Sequence, residues 1–236
     1  MAAGGYNFPR TNGKVWVNML QTQRLLLRPW TEADAQALYQ YASDPRIGPP
    51  AGWQPHTVVE NSRQIIKDVL AVPETYAVCL KDGAPIGSIG LKLKGSTDMT
   101  DREDECELGY WIGRPYWGQG LITEAANALL AYAFENLGMN AVWCGYYDGN
   151  EKSRRVQEKL GFVYRYTTDD LEVALLQERR RGHTNLMTKE RWQKVQLFRQ
   201  QKKTLDTFLE KKAISPAQYE KSFGDLQKLM DMHGVE

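Results

Sequence analysis

Along the chain, apolar positions fall in short strand-like runs that alternate with longer helix-periodic ones. The first ordered signal is Gln23 to Trp30 (QRLLLRPW), a strand rich in apolar residues. Thr31 follows as an N-cap, with Asp34 three residues on in the manner of a capping box, and the helix it opens stops before Asp44-Pro45. A Gly/Pro loop (GPPAGWQPH) separates this helix from a second one, opened by a Thr57/Glu60 capping box and ended ahead of Pro73. TYAVCL and PIGSIGLKL flank the turn residues Asp82-Gly83 as a hairpin. A polar connector from Gly95 to Glu105 leads into a further strand, CELGYWIG. From Gly118 a long apolar-periodic helix runs to Leu137-Gly138, with Gly138 as its C-cap. AVWCGYY is a strand, GNEKSRRVQEKLG a helix closed by Gly161, and FVYRYTT a strand, with a last strand around Gly182 to Met187. The order β-α-α-β-β-β-α-β-α-β-β predicts an α/β (α+β) fold, a mixed sheet with helices on its faces.

Beyond Thr188 the pattern turns wholly helical. Trp192, Val195, Phe198, Leu205, Phe208 and Leu209 form one stripe. Ser215-Pro216, with Gln218 completing a capping signature, opens a second helix carrying Tyr219, Phe223, Leu226 and Met230. This C-terminal αα-hairpin is self-packed, docked on the preceding domain, or a dimerisation element that would make the chain a homodimer. The expected division is a loose N-terminal leader over residues 1–20, one domain over 21–192, and the helical hairpin over 193–236. The leader has no apolar core of the kind a signal peptide carries.

Composition narrows the classes. The 236 residues give room for one good-sized domain and an appendage, and 42% hydrophobic content argues against global disorder. A net charge of +1 provides no overall field for nucleic acid or an anionic membrane. The longest apolar run, Ala128 to Phe134, is far too short to span a bilayer. Three cysteines and three histidines, with no CxxC, indicate neither a metal site nor a disulfide framework. A reduced, cytoplasmic protein is expected. The charge is locally uneven: the basic run between Glu178 and Lys203 reads as a solvated helix face and loop, with an anion or acidic-partner site as the competing reading.

The chemistry concentrates in Glu107 to Ala125 (ELGYWIGRPYWGQGLITEA). A strand leads into Gly118-Gln119-Gly120 and then a helix, so glycines permit close backbone approach to an anion and the helix N-terminus supplies free N–H groups. The alternative is a glycine turn joining strand to helix. A dinucleotide fingerprint is excluded because Thr123 stands where the third glycine belongs, and no GxxxxGK[ST] sequence is present. A second segment, CGYYDGNEKSRRVQEKLGF, sets Asn150 at a strand-to-helix junction, Ser153 three residues later and Gly161-Phe162 at the helix end.

Together the two segments resemble the GNAT acetyltransferases, specifically the RimJ/RimL-like branch that acetylates protein N-termini, ribosomal proteins among them. The resemblance runs from about Gln23 to Trp192. The family signature [Q/R]-x-x-G-x-[G/A] aligns with Trp117, Gly118, Gln119, Gly120, Leu121 and Ile122; Gly120 matches, Trp117 and Ile122 depart, and Thr123-Glu124-Ala125 follows as it commonly does in the branch. It implies the GNAT fold, with a mixed, mostly antiparallel sheet whose central strands splay apart to take acetyl-CoA as co-substrate, without a metal. Backbone N–H groups of Trp111, Ile112 and Gly113 would then hold the pantetheine, and residues Trp117 to Thr123 the pyrophosphate. Asn150 would bond the pantetheine or cap its helix. Ser153 would act as acid to the departing thiolate, or bond local backbone.

For the base the candidate is Glu107, which alternation puts on one face with Gly109 and Trp111; the competing reading is a surface glutamate ending the acidic run DREDECE. Tyr146, Tyr147 and Asp148 are secondary candidates, and Glu124 is explained by the helix dipole alone. The acceptor side is expected in the loop Gly48 to Thr57, with Trp53 and His56, and at Tyr146. Three functions remain open: acetylation of a protein N-terminal amine, acetylation of a small amine such as a polyamine, antibiotic or amino acid, and a non-catalytic CoA-binding interaction module.

Overall fold

The computed structural model describes residues 19–81 and 83–235. Most of the expected leader and the turn residue Asp82 therefore lie outside the described residues. Among the described residues eight strands make one sheet: β1 (Leu20–Gln21), β2 (Leu25–Pro29), β3 (Thr75–Leu80), β4 (Pro85–Lys92), β5 (Glu105–Ile112), β6 (Ala141–Tyr147), β7 (Val163–Val173) and β8 (Glu178–Thr188), in the spatial order β1-β2-β3-β4-β5-β6-β8-β7. Every neighbouring pair is antiparallel except β5 with β6. The mixed, mostly antiparallel sheet predicted from the sequence is thus the one that forms.

Helices cover both faces, as expected. On one face α1 (Ala35–Ala42) and α2 (Val59–Ile65) close a small core of Trp30, Leu38, Ile66, Ala77 and Cys79. On the other, α3 (Leu121–Glu135) and α4 (Glu151–Leu160) cover the larger core of Leu25, Tyr76, Ile89, Leu108, Leu129, Phe134 and Val142. The 3-10 turn Glu32–Asp34 that leads into α1 follows the capping logic: the Asp34 carboxylate accepts from the Thr31 N–H at 2.9 Å and is clamped by the two terminal Arg28 nitrogens. The α2 start departs from it. Val58 is the N-cap, and Asn61, not Glu60, accepts from the Thr57 and Val58 N–H groups, while Glu60 turns to Arg63. The shorter amide side chain reaches back to the cap, whereas Glu60 faces solvent with an i,i+3 partner.

The β7–β8 hairpin is longer than its apolar pattern suggested. Arg179 and Arg180 were expected on a solvated helix face or loop; they lie on β8, opposite Glu172 and Leu171. Arg179 pairs with Asp170, Arg180 with Glu178, and Arg181 with Asp169. The Arg179–Asp170 and Arg181–Asp169 pairs cross between the strands, and such charge matching lets a mostly polar stretch form a ladder that hydrophobic periodicity cannot register.

The C-terminal helices α5 (Lys189–Glu210) and α6 (Pro216–Met230) are docked on the sheet domain, with Val195, Phe198, Met230, Met232 and Val235 buried in the same core as Phe134 and Leu160. Arg199 bonds the Asn127 side chain at 2.6 Å and the Lys159 carbonyl at 3.2 Å, tying α5 to both α3 and α4. Among the described residues no helix is long and apolar enough to cross a membrane. Because Phe198 is fully buried at this junction, Phe198→Ala is expected to cost about 3–5 kcal/mol in a single urea unfolding transition. A separate early transition for the C-terminal helices would contradict a shared core.

Candidate functional site

The site originates in the one parallel pairing. β5 and β6 are bonded only through Glu105↔Ala141, Cys106↔Val142 and Glu107↔Trp143. Beyond Glu107 each strand stays attached to its outer neighbour, β5 to β4 as far as Gly87↔Ile112 and β6 to β8 as far as Tyr147↔Gly182, but not to the other. A wedge-shaped gap opens between Leu108–Ile112 and Cys144–Tyr147. Backbone groups on its inner edges have no strand partner, so an extended ligand can enter as a strand would.

At the end of β5 the chain turns through Gly118 and Gly120 into α3. Both glycines have left-handed backbone, φ 72° and 71°, and a Cβ on either would meet no protein atom closer than 3.7 Å, so the demand is conformational and the loop's outer side is open. Gly120 is the N-cap; the first intrahelical bond runs from the Glu124 N–H to the Gly120 carbonyl, which leaves the N–H groups of Leu121, Ile122 and Thr123 without an intrahelical acceptor. Leu121 and Ile122 bury their side chains in the core. Three free donors and a positive helix end fit a pyrophosphate. Trp117 donates its indole N–H to the Ile112 carbonyl at 2.9 Å, and the Lys152 ammonium stands 4.2 Å over its ring. Gln119 is held at both ends, its carbonyl accepting from Arg24 and its amide donating to the Pro115 carbonyl.

Of the backbone donors expected to hold pantetheine, that of Gly113 is committed to the Ile86 carbonyl at 2.7 Å. Gly113 is glycine because the Tyr41 ring lies where a Cβ would be, 2.6 Å away. The Trp111 side chain faces the α1/α2 side and meets Trp53 edge-on, with ring centroids 6.0 Å apart. Ile112 faces the opposite core, with its carbonyl serving Trp117.

Asn150 caps α4, accepting from the Ser153 N–H at 3.2 Å, while its amide donates to the Pro50 carbonyl at 3.0 Å. Ser153 projects under the gap, its Oγ 3.1 Å from the Tyr110 hydroxyl. Sequence reasoning did not single out Tyr110; it is a partner that alternation from Leu108 and Ile112 would have put on the α4 face. Burial pushes its phenol well above the ordinary value.

Trp53, His56 and Glu107, the residues expected around the acceptor, lie on the opposite face of the sheet from Ser153. β5 pairs with β4 without a bulge, so Glu107, Gly109 and Trp111 do share a face. The Glu107 carboxylate sits where the strands part, accepting from Lys92 Nζ at 2.8 Å and Thr97 Oγ1 at 2.6 Å. The glutamate is buried, not a surface end to the acidic run. Trp53 lies between Trp111 and His56. His56 shares a hydrogen bond with Ser62 at 2.7 Å, and burial holds its imidazole below the ordinary value. Tyr146 is not on this side. It faces α4, and its ring meets that of His183, directly across the ladder, at a tilt with centroids 4.9 Å apart. Its neighbour Tyr147 meets the loop instead, with its ring against Gly52 and Arg180 5.3 Å above it. The period of two places only one of these tyrosines on each face.

With the geometry in hand, comparisons with known proteins agree on one family. The family description Acetyltransferase (GNAT) domain matches residues 24–163, well over half of the chain. The chain belongs to the GNAT acetyltransferase family. It is 31% identical over 162 residues to the uncharacterized N-acetyltransferase p20 of Bacillus licheniformis, covering 66% of this chain and 88% of p20. It is 37% identical over 107 residues to YdaF of Bacillus subtilis (strain 168), which carries the provisional name of ribosomal N-acetyltransferase; that match covers 45% of this chain and 54% of YdaF, about half of that relative's length. The fold is shared with Mycobacterium smegmatis RimJ, solved in complex with CoA-disulfide, at a TM-score of 0.57 and 22% identity over 70% of this chain and 82% of that one.

Glu124 connects the glycine loop to the sheet edge, accepting from Thr22 Oγ1, the Arg24 N–H and Arg24 Nε at 2.6, 2.8 and 2.6 Å. Burial alone would raise its carboxyl, but these donors outweigh it and hold it below the ordinary value. A carboxylate lowered in the folded state contributes stability above its unfolded value, and that contribution is lost as pH falls through the folded one. Glu124→Gln is therefore expected to lower stability at pH 7 by about 1 kcal/mol, discounted for the exposure of Arg24. Urea titrations should show the difference from wild type shrinking through the acid range; a difference independent of pH would remove the charge argument.

Proposed function

We propose that this chain transfers the acetyl group of acetyl-CoA to a primary amine, and that the amine is the N-terminal α-amino group of a protein. The observation that carries the reading is the gap beyond Glu107, with the glycine loop and α3 N-terminus at one end, Ser153 beneath it, and Glu107, Trp111, Trp53 and Tyr147 on the opposite face. In this reading Glu107 accepts, through a water, the proton the attacking amine loses; Lys92 and Thr97 occupy one lone pair on each of its oxygens and leave another on each. Ser153 offers its hydroxyl hydrogen to the sulfur as the C–S bond breaks and the C–N bond forms.

The ribosomal assignment in the name of YdaF supports a protein acceptor. So does the state of the acidic connector. Glu103 is paired with Lys94, Asp104 and Glu105 with Arg102, and Glu107 with Lys92, so four of the six carboxylates between Asp98 and Glu107 are neutralised, leaving Asp98 and Asp101 as weak attraction for a polyamine.

Isothermal titration of the purified protein with acetyl-CoA, with NADH and ATP as controls, should give micromolar binding to acetyl-CoA alone. Mass spectrometry should then show acetylation at the free α-amine of a subset of an array of synthetic peptides. Glu107→Gln is expected to lower kcat by about 10²-fold and Ser153→Ala by about tenfold, both with acetyl-CoA binding retained. A folded protein that does not bind acetyl-CoA would overturn the reading, and turnover of polyamines with no peptide acetylated would replace its acceptor.

A further inference from the structure

We propose that Gln157 is a positioning residue that makes Ser153 a hydrogen-bond donor toward the gap between β5 and β6, an inference that rests on the acetyl-CoA reading of that gap. Gln157 is fully buried, one turn along α4 from Ser153. Its amide nitrogen donates to the Gly145 carbonyl at 3.1 Å and to Ser153 Oγ at 3.2 Å. Gly145 lies on β6 beyond its last pairing with β5. A main-chain carbonyl can only accept, so the amide cannot be turned round without setting its oxygen against the Gly145 oxygen.

The other end is fixed in the same way. Gln157 Oε1 accepts from Asn185 Nδ2 at 2.7 Å, and Asn185 is itself buried at 6% exposure on β8. The direction of donation therefore runs Asn185 to Gln157 to Ser153. With one Ser153 lone pair filled by Gln157, the serine hydrogen is directed to the Tyr110 hydroxyl or to the gap. Tyr110 stands at 3.1 Å from Ser153 Oγ and 3.3 Å from the Ser153 carbonyl. When the phenol donates to Oγ, both serine lone pairs are occupied and its own hydrogen is left for the gap. An anionic sulfur there favours that arrangement, because hydrogen bonds to charged acceptors are about twice as strong as neutral ones. No proton need leave Ser153: the step is donation to a thiolate, and Gln157 acts only through the serine.

Coenzyme A itself is the probe. Its thiol is titrated on the protein by the ultraviolet absorbance of the thiolate, with the free protein as reference; burial pushes Cys144 up and out of the same range. In the wild type the bound thiol should titrate at least about half a pH unit below its value on Ser153→Ala, roughly a threefold shift in the equilibrium. Gln157→Met should move it up by the same amount as Ser153→Ala, and the double variant no further. A merely structural role for Gln157 would weaken CoA binding or lower the melting temperature without moving the thiol titration. Should Gln157→Met fail to fold, Gln157→Glu keeps the volume and carries at most one hydrogen for two acceptors; the same shift is expected of it. Folded Gln157 variants that titrate as wild type would overturn this inference alone. Ser153→Ala titrating as wild type would overturn the serine's role and this inference together, and absence of CoA binding to the wild type would overturn the acetyl-CoA reading itself.

Discussion

Two neighbouring strands of one sheet that stop pairing after three residues create a demand the rest of the molecule answers. Backbone N–H and C=O groups left without a ladder partner cost about 1–3 kcal/mol each when they are buried, so the edges of β5 and β6 beyond Glu107 must find partners off the sheet. Side chains meet part of that demand: Gln157 serves the Gly145 carbonyl and Trp117 the Ile112 carbonyl. The remainder faces the gap. What keeps the strands from closing on each other is their outer attachment, β5 to the β2–β3–β4 block and β6 to the β7–β8 hairpin, each through a continuous ladder.

The parting also separates chemistry by face. Along β5 the odd positions Glu107, Gly109 and Trp111 look toward α1 and α2, while Leu108, Tyr110 and Ile112 look toward α3 and α4. A carboxylate able to take a proton and a hydroxyl able to give a hydrogen bond are thereby held on opposite sides of the same opening, out of each other's reach. The loop over residues 48–53 spans the two halves. The Asn150 amide and the Arg180 guanidinium hold its Pro50 and Pro49 carbonyls, at 3.0 and 2.6 Å, and Gly52 rests on Tyr147. The loop is thus anchored to the same helix cap that fixes Ser153, so the two faces of the opening share one piece of scaffolding.

What could be read in the sequence divides along physical lines. Signals carried by backbone conformation were legible: Gly118 and Gly120 marked the turn from strand to α3, which begins at Leu121 and not at Gly118, and Asn150 with Gly161 bracketed α4. Strand parity on β5 was legible as well, because no bulge interrupts it. Signals carried by side-chain partners were not. The choice of Asn61 over Glu60 at the α2 cap depends on reach, and β8 forms from Arg–acid pairs that no hydrophobic pattern shows. Tyr146 and Tyr147 are adjacent and chemically equal, so only the observed ladder assigns them to faces. Gln157 reads as an ordinary helix residue until the carbonyl it serves is known.

The C-terminal helices bear on the site although no residue of theirs reaches it. The position of Ser153 relative to the glycine loop is the position of the α4 N-terminus relative to that of α3. Two helices lying side by side on a sheet can slide by a fraction of a turn at modest cost unless something spans them. Arg199 spans them, bonding Asn127 on α3 and the Lys159 carbonyl on α4. Arg191 adds a bond to the Gly161 carbonyl, and Val195 packs so closely on Gly161 that a Cβ there would lie 2.6 Å from it. A close-packed interior moves in discrete rearrangements more readily than by continuous slippage, so α5 sets the register of α4 against α3. Tolerances near 0.5 Å separate productive from idle geometry at such sites, which makes a brace some distance from the chemistry part of the machinery that positions it.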